Sequence, residues 1–288
     1  LSSVDKNTKY IFEHGDICDK NALMKAFDGF MPNAVVHFAA ESHVDNSIVK
    51  PHAFVNTNIF GTYNLLQISL EYQSKKTIDN FRFIHISTDE VYGSIKHPKL
   101  FTEKSPYKPN SPYSASKAAS DHLVRSWNKT YKLKTIITNC SNNFGPNQHS
   151  EKLVPLVIKN SLSLKDIPIY GDGLNVRDWL YVDDHCDAIY AVIKSGLPGE
   201  SYNIGGNNQL SNLNIIKKIC SILDKKRPRK DSKKYSDLIK FVSDRPGHDR
   251  RYAIDFSKIS NELMWKPAHT FDSGIEKTIS WYLENKNW

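Results

Sequence analysis

The chain is 288 residues long with 39% apolar side chains, enough to bury a sizeable core as one large domain or two closely joined lobes, and too apolar for intrinsic disorder. A formal charge of +8 suits an anionic small-molecule partner, but the lysines are scattered and no aromatic-basic array or recognition module is present, so nucleic-acid binding is not expected. No apolar run reaches the ~20 residues of a membrane span, and Cys18, Cys140, Cys186 and Cys220, far apart and without metal-ligand spacing, read as reduced thiols of a cytoplasmic protein with no metal site.

In chain order, Tyr10 to Ile17 reads as a strand of a sheet that ends at Asp16 and Ile17. No Gly-x-x-Gly-x-x-Gly turn follows a first strand, the loop that brings backbone amides to a pyrophosphate at a helix N-terminus. An opening βαβ segment of roughly 30 residues is therefore expected to be missing, and a chain without it is expected to bind a dinucleotide poorly. Ala34 to Ala40 has the composition of a parallel strand buried on both faces, and His43 beyond it reads as a packing residue. Asn56 to Tyr72 carries Ile59, Leu65, Leu66 and Ile68 at helical periodicity, with Asn58 in an ordinary cap or loop role.

The β-branched and aromatic run Phe81 to Ile86 predicts a buried strand, which delivers Thr88, Asp89 and Glu90 at its carboxyl end, where open α/β sheets bind ligands. A helix over Tyr113 to Tyr131 places Tyr113 and Lys117 one turn apart on one face. Lys134 to Cys140 is the next strand and leads to Asn142, Asn143 and the turn at Gly145-Pro146. Short strands and loops then replace the regular alternation, which divides the chain into a first lobe, residues 1–143 completed by about 179–205, and a second, mainly 144–288. Asp183-Asp184 reads as the N-cap of a helix through Ile189 and Ile193; Leu213, Ile216, Ile219 and Leu223 mark another, whose basic end from Lys225 to Lys230 is a solvated helix terminus. Phe271 to Asn285 is a final amphipathic helix. The pattern is α/β, a doubly wound parallel sheet with a smaller C-terminal lobe.

The residue types at the predicted site have a common chemistry. Removing a hydroxyl proton while hydride leaves the same carbon needs a base near neutrality, and a phenol with its ordinary pKa of about 10 serves only if a cation such as Lys117 stabilises the phenolate. Adjacent carboxyls suit β-elimination, in which Glu90 removes a carbon-bound proton and Asp89 protonates a departing hydroxyl. Tyr-x-x-x-Lys alone more often marks a solvated helix face; the hydroxyl and acid pair upstream give it specificity.

These stretches, together with Phe38-Ala-Ala-Glu-Ser-His-Val-Asp45, Asn56-Thr-Asn58, Ser111-Pro-Tyr-Ser-Ala-Ser-Lys117, Asn139 to Pro146, Tyr170 to Trp179, Tyr202 to Gly206 and Asp244-Arg-Pro-Gly-His248, resemble the extended short-chain dehydrogenase/reductases that act on nucleotide sugars, the 4,6-dehydratase branch above all. The resemblance implies a Rossmann fold, NAD as an internally regenerated oxidant, and a nucleoside-diphosphate sugar, dTDP-glucose, as substrate. It implies cofactor contacts at Asp16, Ile17, Phe38, Ala39, Ala40, Ser42, Thr57, Tyr113, Lys117 and Asn143. For the substrate it implies Ser42, Thr88 and Asn142 at the sugar and Lys152 and Leu153 at the nucleotide. Pro168, Ile169 and Tyr170 would hold the base, Arg177 and Arg245 the diphosphate, with further contacts from Asn212, Asp244 and His248. Asn46 stands where the family pattern has Arg. The helices at 56–72 and 113–131 imply a homodimer. Alternatives are a UDP-sugar dehydratase, an epimerase or decarboxylase of the same family, or a non-catalytic dinucleotide sensor.

Overall fold

The computed structural model describes residues 4–76 and 80–285. Helix α1 (Lys20–Phe30) precedes strand β1 (Ala34–His37); α2 (Val44–Val49) and α3 (Pro51–Phe54) follow, and α3 runs through a π-helical stretch, Val55–Gly61, into α4 (Thr62–Lys76). Strand β2 (Arg82–Thr88) ends in a 3-10 turn at Asp89–Tyr92, and α5 (Pro112–Tyr131) leads to β3 (Thr135–Cys140) and β4 (Asn142–Phe144). Then come α6 (Leu153–Leu162), β5 (Ile167–Tyr170), β6 (Val176–Tyr181), α7 (Val182–Ser195), β7 (Ser201–Ile204), β8 (Gln209–Ser211) and α8 (Asn212–Lys226). Strand β9 (Ile239–Val242), α9 (Ser257–Leu263) and α10 (Phe271–Glu284) complete the order.

A four-stranded parallel sheet, β1-β2-β3-β7, is the frame of the site. Side chains of β2 alternate: Phe83 packs with Leu66, Tyr72 and Val124 under α4 and α5, whereas Ile84 and Ile86 pack with Val192, Tyr202 and Ile204 on the other face. His85 and Ser87 therefore project toward α5, among buried polar groups. Strands β4-β6-β8 and the pair β5-β9 form the second core, where Phe144, Trp179 and Phe271 meet edge to face or tilted. Among the described residues no helix is long and apolar enough to cross a membrane.

Three sequence expectations are corrected. Tyr10 to Ile17 forms no strand; Ile11 and Phe12 lie exposed, because no backbone among the described residues runs alongside to pair with them. The Ala34 to Ala40 segment is not buried on both faces: its strand stops at His37 on the sheet edge, half-buried, and Phe38 is 58% exposed. Asp183 and Asp184 lie inside the first turn of α7, whose N-cap is Tyr181. The buried Asp184 carboxylate instead accepts from His269 N–H and pairs with His269 Nδ1, both at 2.9 Å, which ties α7 to the segment before α10.

Three buried histidines make the fold acid-sensitive. His85 is pulled down to about 4 by burial and by Lys117, against the pull of Asp121, His185 is pulled to about 4 by burial, and His37 is held well below the usual histidine value by burial, His85 and Lys117. Since all three lie below the ordinary histidine value of about 6.5, the unfolded chain binds protons first as pH falls; the stability is full above that value and lost as pH drops below it. Thermal unfolding should show a Tm that is level near neutrality and falls through this window, the His85 and His185 rings each accounting for on the order of 3 kcal/mol of the lost stability. His185→Leu should make that fall shallower.

Candidate active site

The site begins with two chain reversals. Thr88 closes β2, its hydroxyl accepting Glu90 N–H at 3.2 Å, so Asp89 and Glu90 turn out of the strand at its carboxyl end. Gly93 ends this turn at φ +77°, where any Cβ would stand 2.3 Å from the Lys108 carbonyl oxygen. Across from it, Ser111 caps α5 in a reciprocal Ser111/Ser114 box with Pro112 in the first turn. Tyr113 thus enters at the helix start, close to Thr88, Glu90 and Asp89. Thr88, Asp89, Glu90 and Tyr113 are brought together, and Lys117 lies one turn further along α5.

Burial first, then the neighbouring carboxylates Glu90 and Asp178, push Asp89 well above the usual range, against Arg177 and Thr88. Its Oδ2 is buried without a partner among the described residues. Glu90 is raised by burial and held back by Arg177 and Arg245. Of the two, Asp89 is raised the more strongly. Tyr113 is also pushed up, by burial and by Glu90, with Thr88 opposing. Lys117 donates to the Ile86 carbonyl at 2.8 Å, and burial lowers it while Asp121 supports its charge.

Asp121, one further turn along α5, is a residue the sequence reading passed over. It is fully buried, with Ser87 Oγ at 2.9 Å, Tyr107 OH at 2.8 Å, Asn139 Nδ2 at 3.2 Å and His85 Nε2 at 3.3 Å. Against the cost of burial, His85, Lys117 and Tyr107 hold its carboxyl below the usual range. Asp121→Asn keeps the shape and removes the anion that keeps Lys117 charged. Expected is a fall in kcat of roughly tenfold or more with KM little changed, and an alkaline limb of the pH profile moved to lower pH; an unmoved limb would make Asp121 purely structural.

Beside the catalytic groups lies a cavity of about 450 Å³. Ser42, Glu90, Asn142, Lys152, Leu153, Pro168, Ile169 and Tyr170 are among the residues that line it. Arg177, Asn212, Arg245 and His248 line it as well, so five cationic or basic side chains, counting His43 and Lys152, share one space with the carboxylates of Asp45, Glu90 and Glu151. Lys152 Nζ donates to the Ser42 carbonyl at 2.9 Å, and Asp45 holds both Arg245 Nη1 at 3.1 Å and Tyr170 OH at 3.3 Å. Thr88 and Asp244 do not line the cavity; Asp244 Oδ1 sits 2.6 Å from His248 Nδ1 and fixes that ring.

Two supporting residues have no motif. Arg177 is 4% exposed, donates to the Val176 and Asp249 carbonyls and lies 4.1 Å over the Tyr252 ring. Tyr252 OH donates to Asp249 Oδ2 at 2.8 Å and stands 3.5 Å from Glu90 Oε2, so Asp249 and Tyr252 link the guanidinium to the Glu90 carboxylate.

On the other side of the site, Phe38 and Ala39 are exposed and Ala40 and Thr57 half-buried at the end of β1 and the π-helical stretch. Asp16 accepts Cys18 N–H at 2.8 Å, and Ile17 packs where a Cβ on Gly61 would stand, 2.5 Å from Ile17 Cδ1. Asn143 donates to the Ser141 carbonyl at 3.1 Å, yet its Oδ1, like that of Asn142, is buried with no partner among the described residues. Small side chains, an exposed aromatic and orphaned amide oxygens fit a dinucleotide. Asn58, read from sequence as ordinary, is a buried latch: it accepts Glu41 N–H at 2.8 Å and donates to Glu41 O at 3.0 Å and Ser116 Oγ at 2.8 Å, joining the loop after β1 to α5.

A family model described as GDP-mannose 4,6 dehydratase matches residues 1–278. The dTDP-glucose 4,6-dehydratase of Salmonella typhimurium is 55% identical, over 100% of this chain and 82% of that protein, and the one from Neisseria meningitidis serogroup B is 53% identical, over 100% and 83%. A solved structure of dTDP-glucose 4,6-dehydratase from Streptomyces venezuelae, with NAD and TYD bound, superposes with a TM-score of 0.91 at 43% identity, over 100% of this chain and 84% of that one. With more than half of its residues identical over most of those enzymes' length, the chain belongs to the dTDP-glucose 4,6-dehydratase family.

Proposed function

We propose that this chain dehydrates dTDP-glucose to dTDP-4-keto-6-deoxy-glucose, a step of deoxysugar synthesis, with the residues above in the following roles. Tyr113, supported by Thr88 and Lys117, takes the proton of the C4 hydroxyl. The 4-ketone acidifies C5–H, Glu90 removes that proton, and Asp89 protonates the C6 hydroxyl as it leaves as water. Glu90 then returns a proton to C5. NAD, when bound, supplies the oxidant for C4 and the reductant for C6, so no outside redox partner is needed. Asp16, Ile17, Phe38, Ala39, Ala40, Ser42, Thr57 and Asn143 would hold it, on the lobe of residues 1–143 with about 179–205, while 144–288 mainly grips the sugar nucleotide.

The carrying observation is an acid of raised pKa, Asp89, set beside Glu90 and within reach of Tyr113 at one strand end, next to a cavity with Lys152, Arg177 and Arg245 on its walls. Guanidinium groups suit a diphosphate. An epimerase needs the phenol but no second acid pair. The intact protein, incubated with dTDP-glucose and no added reductant, should give the alkali-induced absorbance of a 4-keto-6-deoxy product. Turnover of UDP-glucose alone would change the base assignment, and turnover of neither would return the epimerase or decarboxylase reading.

Two further readings accompany this. Phe60, Tyr63 and Tyr131 are exposed along the π-helical stretch, α4 and α5, with Tyr63 5.8 Å from Trp127, and this aromatic band supports a homodimer of paired helices. Tyr63→Lys should then halve the mass in light scattering. Four unpaired cysteines support a reducing, cytoplasmic setting.

A further inference from the structure

The proton count of this reaction does not close on its own. Tyr113 gains the C4 hydroxyl proton, which stays with it because the product keeps the ketone. Glu90 gains the C5 proton and gives one back. Asp89 gives its proton to the departing C6 hydroxide and recovers none. Each turnover therefore leaves Tyr113 one proton rich and Asp89 one proton short, and the next cannot begin until this is reversed.

The side chain between them is Thr88. Its Oγ1 donates to Asp89 Oδ1 at 3.4 Å and accepts Glu90 N–H at 3.2 Å, and it stands close enough to Tyr113 to favour the phenolate. A hydroxyl has one proton to give and two lone pairs, so after turnover the second lone pair can accept the phenol O–H while the hydroxyl proton points at the carboxylate. Bulk water is a poor substitute, since Thr88 is 7% exposed and Asp89 1%.

Resting on the catalytic roles given above, we propose that Thr88 resets the enzyme between turnovers by relaying a proton from Tyr113 to Asp89. The Tyr113 O–H bond breaks as a new O–H bond forms on Thr88 Oγ1. The original Thr88 O–H bond breaks as its proton joins Asp89 Oδ1, and rotation of the carboxyl group then turns that O–H toward the substrate side. Phenolate and carboxylic acid are restored with no net proton from solvent and no redox change. Thr88 is thereby more than an aid to C4 oxidation.

Rapid-quench kinetics of the intact enzyme with dTDP-glucose separate the two roles. In Thr88→Val, which keeps the β-branched shape, one product per site should form in a burst, followed by a steady-state rate about a hundredfold below the single-turnover rate. Thr88→Ser, which restores the hydroxyl, should keep the two rates equal. Infrared difference spectra after one turnover give a second readout: the protonated-carboxyl band, assigned through Asp89→Asn, should recover promptly in the unaltered enzyme and persist as a loss in Thr88→Val. Equal falls in both rates without a burst, or prompt recovery of the band in Thr88→Val, would overturn the relay. Failure of the underlying roles is distinct, because it would show as full-rate water elimination by Asp89→Asn.

Discussion

Asp89→Asn should arrest the reaction after oxidation: on mixing with dTDP-glucose the reduced-cofactor absorbance rises and stays, a 4-keto hexose accumulates, and release of the 6-deoxy product falls by about 10² to 10⁴. The asymmetry follows from where the proton is. Burial beside Glu90 and Asp178 raises Asp89 well above the usual carboxylate range, which favours its protonated form, and its Oδ2 has no partner among the described residues. Asparagine fills the same space and has no acidic proton to deliver. Elimination at an undiminished rate would remove Asp89 from this role.

Tyr113→Phe should act one step earlier and on everything downstream. The C4 proton then has no acceptor, so cofactor reduction itself should fall by about 10³ while substrate affinity changes little, since Arg177, Arg245 and Lys152 on the cavity walls are untouched. The two variants are told apart by one trace: absorbance of the reduced cofactor appears in Asp89→Asn and is missing in Tyr113→Phe. If Tyr113→Phe reduced the cofactor at full rate, another group would be the base.

The groups that were legible in the sequence share a property: each sits on a regular element whose period fixes its direction. Strand β2 carries Thr88 to its carboxyl end, and the four-residue step from Tyr113 to Lys117 sets one helix face. The same step points to Asp121, so that residue was readable and was passed over. Asn58, Asp249 and Tyr252 were not, because their roles arise from partners far along the chain, Ser116 for Asn58 and Arg177 and Glu90 for the other two. Tyr10 to Ile17 misled for a related reason. Composition can make a segment fit to be a strand, but a strand also needs a neighbour, and the sheet among the described residues ends at β1.

The central claim, that one active site oxidises C4, eliminates water and returns the same hydrogen to C6, is tested most directly with dTDP-glucose deuterated at C4. Mass and NMR analysis of the product should place the deuterium in the C6 methyl group, with none added from solvent at that hydrogen. Deuterium retained at C4, or a C6 hydrogen drawn from solvent, would contradict it.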